Sequence, residues 1–510
     1  MNLSKLSLAV VAVCGTLSCV SAFAITANNY TNTGEFLGDT LNIRISGASA
    51  QDAGILGSAL SFCQAGTVHR YLVSNNFVAF CTPDVGTNPG QLTLPVRSPA
   101  ITKLAIYKYS VGGSAFGVTP LNSTVAANGA TGGNGAQLPF LDLTKINSIC
   151  TGTNATSVVS VFGPGTNGSY NNVICSTSAG TLTTAAETYV GVSDMEPAFF
   201  TNNTSNLTVT SATALIFAPI VTKNVYDRLQ VLQSLSLPAC GTTLDSEGCM
   251  PSLTSAQITS LYTQPGQAWS TFGVTGLAND TVYIARRVDT SGTQKTFEAI
   301  IAGTPNGNGG LKECFPATTA DAFASPDSGS FGLTTGDNDS VCLTGGALPT
   351  VYSGSGGSNV RNCLINHNAG SRSAIGILTS EDKPGSANWR FVKVDGSAPN
   401  QAATAAGRYR FYTEASINTR SAGAFNTNGA EGYGGVNGFV ARFIKDFGNP
   451  TIVKQINGAD QTFGAAGLMA LLSRQAPGTL PDFTGVSTVI PWSKVVGTAV
   501  NNCSNPKLFN

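Results

Sequence analysis

The sequence predicts an α/β protein, and three observations point that way. Short apolar strands alternate with helical stretches through most of the 510 residues. The turns between them are rich in Gly, Ser, Thr and Asp, residues that end strands and start helices. No short internal repeat interrupts the alternation.

The first 24 residues stand apart from that pattern. Lys5 gives a positive start, Leu6 to Val13 an apolar run, and Ala22-Phe23-Ala24 a small-residue cleavage site. The expectation is a secretory leader over 1–24, with an exported mature chain. Cys19 matches a lipid-anchor site only poorly.

Leu41 to Ile45 alternate as a strand, and Ser46 to Gln51 form a turn into a helix over about 52–63, with Ser49 as its cap. ITKLAIY (101–107) is the next strand, followed by the glycine-rich VGGSAFGV (111–118) around Ser114. Residues 120–186 are poor in charge and read as a surface insertion. TYVGVSDMEP (188–197) is strand then turn, ending at Ser193 and Asp194. Residues 214–235 pass from strand to helix, and 251–272 hold an amphipathic helix and a Trp turn.

IARRVDTSGTQKTFEAIIAG (284–303) is the most informative stretch. A strand ends at Arg286 and Arg287, and a helix follows with Ser291 as N-cap and Gln294 completing a capping box. Phe297, Ile300 and Ile301 mark one buried face. A helix start offers free N–H groups and partial positive charge, so it suits an anion. Here it also carries Gly292, the hydroxyls of Ser291 and Thr293, and a guanidinium just upstream. Past a Gly/Ser/Thr-rich stretch reaching about 360, strands are expected at 373–380, 389–396 and 407–416, and helices at 434–447 and 460–474.

Bulk composition narrows the function. Lys+Arg equals Asp+Glu at 27 each, and loss of Lys5 with the leader makes the net charge −1. No basic surplus points to nucleic acid, and no mature stretch is apolar enough to span a membrane. Charged residues are 11% of the chain, with Gly, Ser, Thr and Asn filling the deficit, as in loop-rich secreted proteins. Beyond Cys14 and Cys19 of the leader, ten cysteines remain, an even number that reads as disulfides in an exported protein. Neighbour pairing gives Cys63–Cys81, Cys150–Cys175, Cys240–Cys249, Cys314–Cys342 and Cys363–Cys503. There is no CxxC, and His69 and His367 are far apart in sequence, so neither a zinc site, a cofactor nor a histidine triad is expected.

Four separated pieces together resemble the periplasmic phosphate-binding proteins of ABC uptake systems, with their type II two-lobed fold. ISGASAQD resembles that family's GAGATFP, VGGSAFGV its GSSGGV, GVSDMEP its GASDAPL, and RVDTSGT its RADGSGT. QPGQAWSTF and AIGILTS are similar to its GKITNWND and AIGYVEY, and the order along the chain agrees. The likeness leaves out 120–186, 305–360 and the 480–510 tail.

The resemblance implies a non-catalytic oxyanion site. Arg287 would donate to the anion, Asp289 would hold that guanidinium, and Ser291, Gly292 and Thr293 would supply hydroxyls and amides. Ser114 would add a hydroxyl from the other lobe, and Gln51 or Ser49 would stand where the family has a threonine. Asp194 would discriminate, because a carboxylate accepts hydrogen bonds and so favours an anion that still carries a proton, as phosphate does and sulfate does not. The implied lobes are 25–215 with 381–510, and 216–380, working in the periplasm or outside the cell, with an ABC permease as partner. The competing expectation is a secreted structural or adhesive surface protein that reuses the fold, suited by low charge and five disulfides.

Overall fold

The computed structural model describes residues 36–37, 39–64, 66–73, 76–85, 100–122, 137–149, 155–159, 169–175, 181–201, 203–235, 240, 245–263, 266–302, 342, 350–382, 384–421, 434–450, 453–454, 467–472, 489–496 and 499–508. The leader, Cys150 and Cys314 lie outside them, as does most of 305–360. No described helix is long and apolar enough to cross a membrane.

The architecture is mixed α/β, built on one large sheet. From edge to edge its strands are Val351–Gly354, Val282–Arg287, Ser373–Thr379, Leu207–Thr222, Tyr412–Arg420, Val190–Ser193, Thr40–Gly47, Lys103–Tyr109, Asn76–Cys81, His69–Val73, Ser169–Ile174 and Ala155–Val159. Leu207–Thr222 is the long central member. Its residues from Leu207 to Ile216 pair antiparallel with Tyr412–Arg420, and those from Phe217 to Val221 pair with Ser373–Thr379.

Two of the sheet's parallel sets position the site. Thr40–Gly47 runs parallel to Lys103–Tyr109 and Val190–Ser193. Val282–Arg287 runs parallel to Val351–Gly354 and Ser373–Thr379. Parallel strands are covered on both faces. In Thr40–Gly47 the apolar alternates Leu41, Ile43 and Ile45 pack with Ile55, Phe439 and Phe443 from the helices Asp52–Leu60 and Gly434–Phe447. The polar alternates Asn42, Arg44 and Ser46 are buried as well. Arg44 lies over the rings of Tyr107 and Tyr189, and the Ser46 hydroxyl donates to the Phe116 carbonyl at 2.7 Å.

Several expectations need correction. The stretch 460–474 is not a described helix: Leu468–Leu471 is a strand, with Ala470 opposite Thr213. A short apolar run reads equally well either way, and an open place beside Leu207–Thr222 decides for strand. Residues 120–186 are more than a surface insertion. Ser169–Ile174 and Ala155–Val159 extend the sheet, while Leu143 and Ile146 are buried with Phe80 and Tyr107. Cys63–Cys81 and Cys240–Cys249 form as expected, but Cys342 bonds to Cys363, so neither Cys314–Cys342 nor Cys363–Cys503 exists. Cys363 is fully buried on the helix Gly357–Ala369, where packing delivers Cys342 to it. Cys175 and Cys503 are each disulfide-bonded to cysteines outside the described residues.

Candidate functional site

Every residue of interest follows the carboxyl end of a parallel strand, where open α/β sheets place their ligand crevices. Ser49 and Gln51 follow Thr40–Gly47, Ser114 follows Lys103–Tyr109, and Asp194 follows Val190–Ser193. Arg287 ends Val282–Arg287, with Thr293 six residues on. Gly357 follows Val351–Gly354, and Glu381 follows Ser373–Thr379. The two parallel sets therefore present their carboxyl ends to each other.

Residues far apart in sequence meet there. The Asp194 amide donates to the Ser114 hydroxyl at 3.0 Å, and that hydroxyl donates to Asp194 Oδ2 at 3.2 Å. Gln51 Nε2 donates to Asp194 Oδ1 at 3.0 Å. The Ala115 amide donates to the Thr290 carbonyl at 3.1 Å, tying the glycine-serine loop to the turn after Arg287. Arg287 reaches Thr293 Oγ1 at 3.4 Å, Ser49 Oγ at 3.5 Å and the Gly354 carbonyl at 3.2 Å, with the Ser355 carbonyl as a further acceptor. All its hydrogen-bond partners among the described residues are neutral oxygens, although the guanidinium is only 4% exposed.

Two expected roles fail. Asp289 does not hold Arg287; its carboxylate pairs with Arg286 instead. Successive strand residues point to opposite faces, so only one arginine can share a face with Asp289. The capping box is also absent. Ser291 is the N-cap of the helix Gly292–Ile300, but its side chain makes no cap bond. Gln294 instead accepts from the Arg287 amide at 3.3 Å and donates to Glu298 at 3.2 Å. That leaves the amides of Gly292, Thr293 and Gln294 with no intrahelical acceptor. Burial is also wider than one stripe, extending all round from Gly292 to Glu298. Ser49 likewise caps nothing; it opens a 3-10 turn, Ser49–Gln51, ahead of Asp52–Leu60.

A cavity of about 140 Å³ opens at this junction. Ser49, Arg287 and Thr293 line it together with Gly356, Gly357 and Ser358. The helix Gly357–Ala369 starts here on a glycine N-cap without a side chain, so a further set of helix amides faces this end. Asp52, Arg361, Glu381 and Asp382 complete the wall. Gln51, Ser114, Asp194 and Gly292 are not lining residues; they form the bonded knot beside the cavity, and Ser291 is buried with them.

Burial dominates the electrostatics. Asp194 is pushed up to about 6 by burial, against the lowering effects of Gln51, Arg287, Ser114 and Lys108. Arg287 is brought down to about 10 by burial, offset in part by Asp194, and remains charged at neutral pH. Lys108, 1% exposed, pairs with Asp52 at 3.0 Å and donates to the Gly47 carbonyl at 2.9 Å. Its pKa is lowered by burial and supported by Asp52.

Sequence reasoning missed Lys108, Arg361, Glu381 and Asp382. Lys108 interrupts an apolar strand, a signal that was available. Glu381 and Asp382 follow a strand end in the same way as Asp194, but no motif marks them.

Gly292 is where the two sides touch. A Cβ there would lie 2.1 Å from Ser114 Oγ and 2.7 Å from Asp194 Oδ2. Gly113, at φ +71°, is equally constrained, since its Cβ would lie 2.9 Å from Ser291 Cα. Gly292→Ala is therefore expected to destabilise the protein by roughly 1–3 kcal/mol through overpacking. Urea denaturation measures this, and an unchanged midpoint would show that the two sides do not pack so closely.

Comparison with known proteins comes from structure alone. No family model and no curated protein matches the chain. Among solved structures, it is similar to a protein assigned as a phosphate ABC transporter substrate-binding protein, with bound phosphate, from Clostridium perfringens (13% identity, TM-score 0.36, covering 83% of this chain and 98% of that one). It is also similar to an ABC-type phosphate transport receptor from Vibrio cholerae (14%, 0.29, 50% and 73%). A third is PstS from Borrelia burgdorferi (12%, 0.28, 57% and 86%). At such identity and score a likeness says nothing of ligand or transport.

Proposed function

We propose that this chain is a non-catalytic binding protein for inorganic phosphate or a related oxyanion, working outside the cytoplasm and able to supply an ABC permease. One observation carries the reading. Among the described residues the buried guanidinium of Arg287 has only neutral oxygens as hydrogen-bond partners, and it lines a cavity where two helices start. Asp194 offsets its burial only in part and only through space, so the charge is costly to bury, and an anion in the cavity would relieve it. The helix amides add donors already pointed at that position. The export part rests on the leader-like residues 1–24.

The proposed lobes move about the central strand. Leu207–Thr222 changes partners between Ile216 and Phe217, which favours a first crossing there. Trp389–Phe391 pairs with the Ile220–Thr222 end, and Lys393–Val394 with Ser252–Leu253. These pairings favour a return crossing near 412 instead of 381. Two crossings suit hinge closure around a ligand.

Titration calorimetry with inorganic phosphate tests the reading; saturable one-site binding is expected, and absence of heat at millimolar phosphate would sink it. The proposed closure brings Asp194, held by Gln51 and Ser114 beside the cavity, against the anion, and sulfate should then bind far more weakly, because the carboxylate offers acceptor oxygens only. Asp194→Asn supplies a donor in the same shape and is expected to raise sulfate affinity by about tenfold, the value of one hydrogen bond to a charged group. Sulfate binding that is equally weak in the variant would remove Asp194 from the discriminating role.

A further inference from the structure

We propose that the ligand is an aminoalkyl phosphate, a phosphate group joined to a short arm ending in an ammonium, in preference to free inorganic phosphate. This rests on the anion reading above and narrows it. The observation behind it is that the cavity lining carries both signs. Arg287, Arg361 and the helix start at Gly357 line it, and so do Glu381, Asp382 and Asp52. Its volume, about 140 Å³, equals roughly four to five water volumes at about 30 Å³ each, so it has room for more than one polar group.

Two of the three carboxylates are already committed. Asp52 is held by Lys108 at 3.0 Å and accepts from Ser110 at 2.9 Å. Asp382 is paired with Arg361. Glu381 makes no salt bridge among the described residues; the Thr379 hydroxyl bonds to it, and Arg361 acts on it only through space. Burial, then the neighbouring carboxyls of Asp52 and Asp194, push Glu381 up to about 8. An ammonium on the ligand would favour the ionised Glu381, releasing the proton that burial and like charges hold there, and would donate to the carboxylate while the phosphate takes Arg287.

Calorimetry on the full purified chain at pH 7 separates these cases with three probes: phosphoethanolamine, glycerol phosphate and inorganic phosphate. Phosphoethanolamine is expected to bind about tenfold or more tighter than either other probe, the effect of one charge-assisted hydrogen bond. Glu381→Gln should erase that margin, and an unchanged urea midpoint certifies the variant as folded. Equal or tighter binding of inorganic phosphate or glycerol phosphate to the wild-type chain overturns the proposal and leaves the anion reading standing. A margin that survives Glu381→Gln overturns it as well. If none of the three probes binds, both readings fall together.

Discussion

Phosphate binding is expected to collapse in Arg287→Met while the melting temperature holds. Among the described residues the guanidinium is the positive group at the cavity with no salt-bridged carboxylate, and methionine keeps its length and fills its apolar space. Hydrogen bonds to charged groups contribute about 1.5–3 kcal/mol each, so losing two implies roughly 3–6 kcal/mol, or about two to four decades in affinity. Stability should move the other way or not at all. The native state buries this charge against neutral oxygens, and removing such a charge takes away a desolvation cost. Arg287→Lys should restore only part of the binding, because an ammonium lacks the planar fork. Calorimetry paired with thermal melts checks both halves. A variant that melts far lower would make Arg287 a structural residue; one that binds phosphate normally would remove it from the site.

Acid sensitivity is expected to trace largely to His367. This side chain is fully buried, neither ring nitrogen has a hydrogen-bond partner among the described residues, and its ring lies 4.7 Å from that of Tyr283. Burial, helped by the charge of Arg372, lowers its pKa from 6.5 to about 3. Above pH 7 the imidazole is neutral in folded and unfolded chains alike, and nothing is lost. Below about 6.5 the unfolded chain takes up a proton that the folded one refuses, so stability falls as pH drops toward 3. At about 1.4 kcal/mol per unit the total is roughly 3–5 kcal/mol. His367→Phe keeps the ring and removes the titration. Urea unfolding at pH 7 and pH 4 should show a smaller acid loss in the variant than in the parent. Equal losses would place the sensitivity elsewhere, for instance at His69, which is also lowered by burial.

The candidate site was legible wherever a backbone turn carries the chemistry. Arg287, Gly292 and Thr293 stand together in one strand–turn–helix that local spacing singles out, whereas Ser114 and Asp194 joined them through the resemblance of their turns. The partner of Asp289 was not legible, because Arg286 and Arg287 are adjacent and only the pleat decides which one shares its face. The 468–471 strand was misread because a short apolar run fits two periods. Pairing of Cys342 with Cys363 depended on how a buried helix meets a distant segment.

By itself, the sequence determined the alternation of strands and helices, the turns rich in small and hydroxylated residues, and the even count of cysteines, since each is written in composition and local period. Only the tertiary structure decided that six strand ends meet, that Arg287 is left among neutral oxygens, and that Glu381 lines the same cavity. The reason is physical. Charge balance and burial are properties of neighbours in space, and the chain brings those neighbours together only when both parallel strand sets present their carboxyl ends to one crevice.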